Sequence, residues 1–136
     1  MKPSPEPLEL DQSRLKILAD ELGDPAPALR FLTKYLSMLP ARVDRIVQAL
    51  HQRDTSATTN AVLSLKISSA MVGALETEDQ CRVIEAMIQN DHLDDAAQAI
   101  PALRNTTDRC VAAQTHLIST AHTSLTHPGR CGFPQS

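Results

Sequence analysis

Apolar residues in the first half of the chain recur at alternating steps of three and four positions, a rhythm typical of amphipathic helices. The longest run predicts one helix whose apolar positions are Leu29, Leu32, Leu36, Leu39, Val43, Ile46 and Leu50. Pro40 lies within this run and lacks a backbone N–H, so we expect a kink there rather than an end. The alternative is two helices divided at Leu39.

A short helix is predicted before the long one and a third helix after it. The short helix stops at Gly23 and the Asp24-Pro25 pair, and its apolar positions are Leu15, Ile17, Leu18 and Leu22. The third helix follows the polar segment "RDTSATT", and its inward stripe consists of Val62, Leu65, Ser69 and Val72. Asp54 or Thr55 is its expected N-cap. At its end, Gly73 either lets another backbone approach closely or loosens the helix.

Two further helices are predicted in the second half of the chain. The first of them opens with Thr77 and Gln80 at capping-box spacing and buries Cys81, Ile84 and Ile88. The last begins at Asp91 or His92, with a local bend at Pro101. Its expected stripe is Leu93, Ala97, Ile100, Leu103, Thr107, Cys110, Gln114, Leu117 and Ala121.

These elements predict an all-α fold. No segment shows the sustained alternation of a strand, and four helices with short connections favour an antiparallel four-helix bundle, with the short N-terminal helix as a cover. The helical domain is expected at residues 10–125. Residues 1–9, which carry three prolines, are expected to be a disordered N-terminal segment, and residues 126–136 a flexible tail.

Composition narrows the classes of function. The formal net charge is −3 and there is no basic block, so nucleic acid is not an expected partner. No apolar run is long enough to cross a membrane, and the Pro-rich start lacks the apolar segment of a signal peptide, which indicates a cytoplasmic protein.

The three cysteines are too widely spaced for a zinc site: Cys81 and Cys110 are expected to be buried and reduced, and Cys131 lies in the tail. We expect no metal and no cofactor.

The segment "LSLKISSAMVGA", residues 63–74, resembles the third helix of the histidine phosphotransfer (HPt) family, which reads roughly His-x-Leu-Lys-Gly-Ser-x-x-x-x-Gly-Ala. Leu65-Lys66, Ser68 and Gly73-Ala74 stand at the matching positions. The segments "FLTKYLSMLPARVDRIVQAL" and "CRVIEAMIQNDHLDDAAQAIPAL" are similar to the second helix and the closing pair of that family. The resemblance covers about residues 12 to 120 and implies an HPt-like bundle in two-component phosphorelay signalling.

Two positions depart from the family pattern. Leu63 stands where the family has its phosphoacceptor histidine, and Ile67 stands where it has glycine. The resemblance implies that an imidazole nitrogen would attack the aspartyl phosphate of a receiver domain, with the lysine offsetting charge and the glycine leaving room for the partner. Leucine offers no lone pair, and Ile67 adds a branched side chain at the contact. The chain is therefore expected to lack phosphate transfer at the usual site.

Helical geometry places an apolar row on the side of the third helix opposite to its core stripe. The row consists of Leu63, Ile67 and Met71, and we interpret it as a partner-binding surface. The full predicted surface is Asn60, Leu63, Lys66, Ile67, Ala70, Met71 and Ala74. Alternatively, the first helix or the tail covers the row, or the helical phase differs. Lys66 either reaches the acidic pocket of a receiver or remains a solvated side chain, and Lys34, Arg42 and Arg45 are expected rim charges.

The leading hypothesis is a non-enzymatic pseudo-phosphotransfer domain. Its expected partner is the receiver domain of a response regulator or hybrid kinase, bound without carrying phosphate. One alternative is a self-associating adaptor, a homodimer through the Leu63, Ile67 and Met71 face. The other is an active phosphotransfer protein that uses a displaced histidine; the candidates are His51, His92, His116, His122 and His127. Ser68 and Ser69 are interpreted as packing residues rather than nucleophiles.

Overall fold

The computed structural model describes residues 8–126, which form six helices. They are α1 (Gln12–Leu22), α2 (Pro25–His51), α3 (Thr55–Val72), α4 (Leu75–Gln89), α5 (Leu93–Ala112) and α6 (Gln114–Thr126). The all-helical expectation is thereby confirmed. None of the helices described is long and apolar enough to cross a membrane.

Aspartate side chains begin the first three helices. Asp11, Asp24 and Asp54 each accept a hydrogen bond from a backbone N–H in the first turn that follows. Such N-caps satisfy amide groups that a helix leaves without an intrahelical partner. Of the two candidates for the third helix, Asp54 is the N-cap, and its carboxylate accepts from the Ala57 amide at 3.0 Å.

The helices α2 to α5 form the bundle. Each packs against the next one along the chain, and α5 closes the arrangement against α2. The connections within the bundle are short, so that consecutive helices run antiparallel. Helices α1 and α6 pack on α2 and on each other. The largest fully buried side chains are leucine, isoleucine and valine, among them Leu32, Leu36, Leu65, Ile84 and Leu103.

Neither internal proline ends a helix. Helix α2 runs without a break through Pro40, and α5 runs through Pro101. The alternative of two helices divided at Leu39 is therefore wrong. The apolar stripe explains why α2 persists, since Leu36, Leu39 and Val43 on both sides of the proline are completely buried.

The expected last helix is wrong as a single element, because it is interrupted at Ala113. Helix α5 ends there and α6 packs on α1 and α2. The apolar spacing does not reveal the break, since Cys110 and Leu117 are both buried on either side of it. Two members of the expected stripe, Ala97 and Gln114, are exposed.

The capping box expected at Thr77 and Gln80 is also wrong. Helix α4 begins at Leu75, before the expected cap, and no side chain caps it. Thr77 is instead buried within the helix, at 1% exposure. The reason lies at the preceding junction, where the end of α3 leads directly into α4.

Gly73 forms this junction. It ends α3 at φ +82°, and the Gly73 and Ala74 amides donate to the carbonyl oxygens of Ala70 and Ser69, which is a Schellman motif. The Asp11 amide also donates to the Gly73 carbonyl oxygen at 2.8 Å. A Cβ atom at Gly73 would lie 2.7 Å from the Asp11 nitrogen. Of the two roles expected for this glycine, close backbone approach is the observed one.

The predicted domain limits fall near the ends of the described chain. Leu8 packs against the core, and the Glu9 carboxylate lies 3.1 Å from His116 Nε2, so tertiary contacts begin before residue 10. Helix α6 includes Thr126. Residues 1–7 and 127–136, including Cys131, lie outside the described residues, and the assignment of 10–125 as the domain stays a prediction.

Candidate docking surface on helix α3

The inward stripe of α3 is as expected. Val62, Leu65, Ser69 and Val72 are completely buried. The hydroxyls of Ser69 and Tyr35 on α2 lie 2.7 Å apart and form a buried hydrogen bond. Burial raises the pKa of Tyr35 above its usual range, so that its phenol stays protonated. The bond joins the buried stripe of α3 to α2, so the opposite side of α3 faces away from the core.

The outward row is exposed mainly at its centre. Ile67 is 49% exposed, whereas Leu63 and Met71 are partly buried and Met71 packs against the core. Asn60, one turn before Leu63, is exposed. We therefore define the candidate docking surface as Asn60, Leu63 and Ile67.

Two predicted members lie at the α1 end of the helix. Ala70 is partly buried, and its carbonyl oxygen accepts a hydrogen bond from Arg14 Nη1 at 2.9 Å. Ala74 is only 4% exposed and belongs to the core, so the structure does not bring it to the surface. Helical phase extrapolated beyond Gly73 misplaces Ala74, because the chain leaves the helix there. Helix α1 contacts α3 at this end and leaves Ile67 about half exposed.

Lys66 has a partner within the fold. Its Nζ lies 2.6 Å from Glu85 Oε1 on α4, and the two side chains are 24% and 14% exposed. The expectation of a solvated lysine is therefore wrong, and contact of Lys66 with a receiver stays a prediction. Glu85 was missed, because the sequence carries no signal for the register between α3 and α4.

Arg42 lies on the other flank of the docking surface. Its Nη1 donates to Ser64 Oγ at 2.8 Å, which brings the guanidinium next to α3. Ser64 was not among the expected site residues. Lys34 and Arg45, the other expected rim cations, are exposed on α2 and form no hydrogen bond with α3 among the residues described.

The histidines of the described chain all lie on other helices. His51 ends α2 and His92 begins α5, both exposed. His116 and His122 are exposed on α6, and His116 contacts Glu9. His127 lies outside the described residues. None of the four described takes the position of Leu63 on the outward face of α3.

The buried cysteines are as expected. Cys81 is completely buried and Cys110 is 1% exposed, and neither forms a disulfide. Burial raises the pKa of Cys81 to about 12 and that of Cys110 to about 11. Both thiols are therefore protonated at neutral pH, which makes them poor nucleophiles.

Comparison with known proteins identifies this class of bundle. The family model of the Hpt domain matches residues 30–113, more than half of the chain, and the chain belongs to this family. HPt domains are phosphotransfer mediators that interact with receiver domains and kinases, which places the chain in two-component phosphorelay signalling.

A solved structure shares the fold. The chain is similar to the HPt domain of an Hpt sensor hybrid histidine kinase from Shewanella, with a TM-score of 0.65 and 22% sequence identity. The match covers 86% of this chain and 96% of that domain. No protein of curated function matches the chain.

Proposed function

We propose that this HPt-family chain binds a receiver domain of a response regulator or hybrid kinase without carrying phosphate. The proposal rests on Leu63, which stands where the resemblance to the family expects the phosphoacceptor histidine, one helical turn before the exposed Ile67. A leucine side chain has no lone pair with which to attack an aspartyl phosphate. The domain would compete with phosphotransfer proteins for the receiver, and its place of action would be the cytoplasm.

The positions of the histidines support this proposal over an active protein with a displaced acceptor. His51, His92, His116 and His122 belong to α2, α5 and α6 or to their ends. A histidine in those places would meet a receiver through a surface other than the α3 face. The α3 face therefore supports binding more than transfer.

Ile67 supplies the central contact of the proposed interface. It exposes about half of its side chain, so covering it would contribute on the order of 1 kcal/mol. An apolar anchor surrounded by polar side chains is the usual anatomy of a protein interface. Asn60 and the flanking Lys66 and Arg42 provide such a rim.

The test is binding to a panel of receiver domains from the same cell, measured by calorimetry with wild type and Ile67→Asp. Val83→Asp is the matched control, because Val83 is 53% exposed on α4 and lines a cavity with Ala99 and Ala102 of α5. We expect Ile67→Asp to weaken binding at least about tenfold through a buried unpaired charge. Val83→Asp should bind like wild type. Equal affinity of the two variants would refute the docking surface.

A second assay tests the absence of phosphate transfer. The chain is incubated with a phosphorylated receiver that binds it, and acid-labile phosphate on the chain is measured. We expect none. Phosphate recovered on a histidine peptide would overturn the proposal and favour a displaced acceptor.

The exposed Ile67 also supports a second candidate, an isologous homodimer through the same face. Sedimentation distinguishes the two. A dimer of the wild type that dissociates on Ile67→Asp, together with no receiver binding, would favour self-association.

A further inference from the structure

Two cations flank the docking surface on opposite sides. At about 100° per residue, Ser64 and Lys66 lie on opposite sides of Ile67 around the axis of α3. The structure agrees, because Arg42 of α2 bonds to Ser64 and Glu85 of α4 pairs with Lys66. A partner that covers Ile67 would therefore contact two cationic side chains, and the two differ in whether a carboxylate of this chain already neutralises their charge.

The charge of Lys66 is already compensated. Its ammonium lies 2.6 Å from the Glu85 carboxylate, and both side chains are mostly covered. A partner carboxylate approaching Lys66 would also approach Glu85, and the two interactions would largely cancel. Lys66 therefore acts to hold α3 against α4, and the face presents little net charge on that side.

The charge of Arg42 is not compensated among the residues described. Its hydrogen-bond partner there is the neutral hydroxyl of Ser64, at 2.8 Å. The adjacent acid, Asp44, is engaged with Arg104 at 2.9 Å. The Nε atom of Arg42 is buried, so the Nη groups supply the donors that remain to pair with an incoming carboxylate.

We propose that Arg42, rather than the family lysine Lys66, is the residue that recognises a carboxylate of the partner. Ser64 positions the guanidinium about one helical turn from Ile67, so that the apolar anchor and the cation contact one partner together. The partner surface that fits has an apolar patch to cover Ile67 and an acidic group that faces Arg42 on α2. This inference rests on the proposed function and specifies the chemistry of the same site.

The test is the affinity for a bound receiver domain at low and high salt. Arg42→Gln should weaken binding about tenfold at low salt and flatten the salt dependence, since an exposed charge pair is screened. Arg42→Lys, which keeps the charge, should recover part of the affinity. The double variant Lys66→Gln with Glu85→Gln, which removes both charges of the internal pair, should bind within about twofold of wild type.

Arg30→Gln is the matched control for charge, because Arg30 is exposed on the same helix and points away from α3. Helical content and unfolding midpoint are measured for each variant. Affinity of Arg42→Gln equal to that of Arg30→Gln, or a larger loss in the Lys66 and Glu85 double variant, would overturn the assignment. If Ile67→Asp still weakens binding while Arg42→Gln does not, only the role of Arg42 has failed. If wild type binds no receiver, the proposed function itself has failed.

Discussion

Gly73 provides a test of how the end of helix α3 is held against α1. We predict that Gly73→Ala destabilises the fold far more than Gly23→Ala. The two glycines are matched, because both end a helix in a Schellman motif, at φ +82° and +81°. They differ in surroundings: a Cβ atom at Gly23 has no neighbour within 4 Å, whereas one at Gly73 lies 2.7 Å from the Asp11 nitrogen and closer still to its carbonyl oxygen.

The magnitude follows from this difference. Alanine in the left-handed region costs about 1–2 kcal/mol at either site. At Gly73 the Cβ atom also pushes on backbone, which cannot rotate away as a side chain can, and such overpacking costs about 1–3 kcal/mol. Displacing Asp11 would also break its hydrogen bond to the Gly73 carbonyl, worth about 1 kcal/mol. The two variants should therefore differ by about 2–4 kcal/mol.

Urea unfolding followed by circular dichroism measures this difference. With a slope of about 2 kcal/mol per molar for a small domain, the midpoint of Gly73→Ala should lie about 1–2 M below that of Gly23→Ala. Equal midpoints would refute the close approach of Asp11 to Gly73. They would also indicate that the contact between Asp11 and Gly73 does not hold α1 at the end of α3.

Three further predictions follow from the site and the core. Burial raises the pKa of the two cysteine thiols of α4 and α5 from the ordinary 9.0 to about 12 and 11, so their contribution to stability is complete below pH 9 and is lost as pH rises toward those values. Between pH 9 and about pH 10, the free energy of unfolding should fall by up to about 1.4 kcal/mol per pH unit for each thiol, and a variant with both cysteines replaced by alanine should lack this slope. At higher pH the raised pKa of Tyr35 adds a slope that the variant keeps. Tyr35→Phe leaves the buried Ser69 hydroxyl without its partner and should cost about 1–2 kcal/mol in urea unfolding; no recovery on adding Ser69→Ala would contradict that reason. Leu63→His with Ile67→Gly should accept more phosphate from a bound receiver than Leu63→His alone, because Ile67 also obstructs the approach, and equal inactivity of both would count against this explanation.

The all-helical class and the composition of the core follow from the sequence alone. The steps of three and four in α2, and the stripe Val62, Leu65 and Val72 in α3, identify which side of each helix is buried, because periodicity gives direction around a helix axis. The sequence also has Leu63 where the resemblance to the HPt family expects a histidine, and the hypothesis of a phosphate-free HPt domain comes from that position.

Which side chains of different helices are in contact depends on how the helices pack against one another. Periodicity gives neither the register between helices nor their separation, so Glu85 beside Lys66 and Ser64 beside Arg42 had no sequence signal. The break at Ala113 also had no sequence signal. It depends on the packing of α6 against α1 and α2, which periodicity does not give. The charge state of the proposed docking surface is therefore a property of the assembled bundle, since it depends on which carboxylates reach which cations across helices.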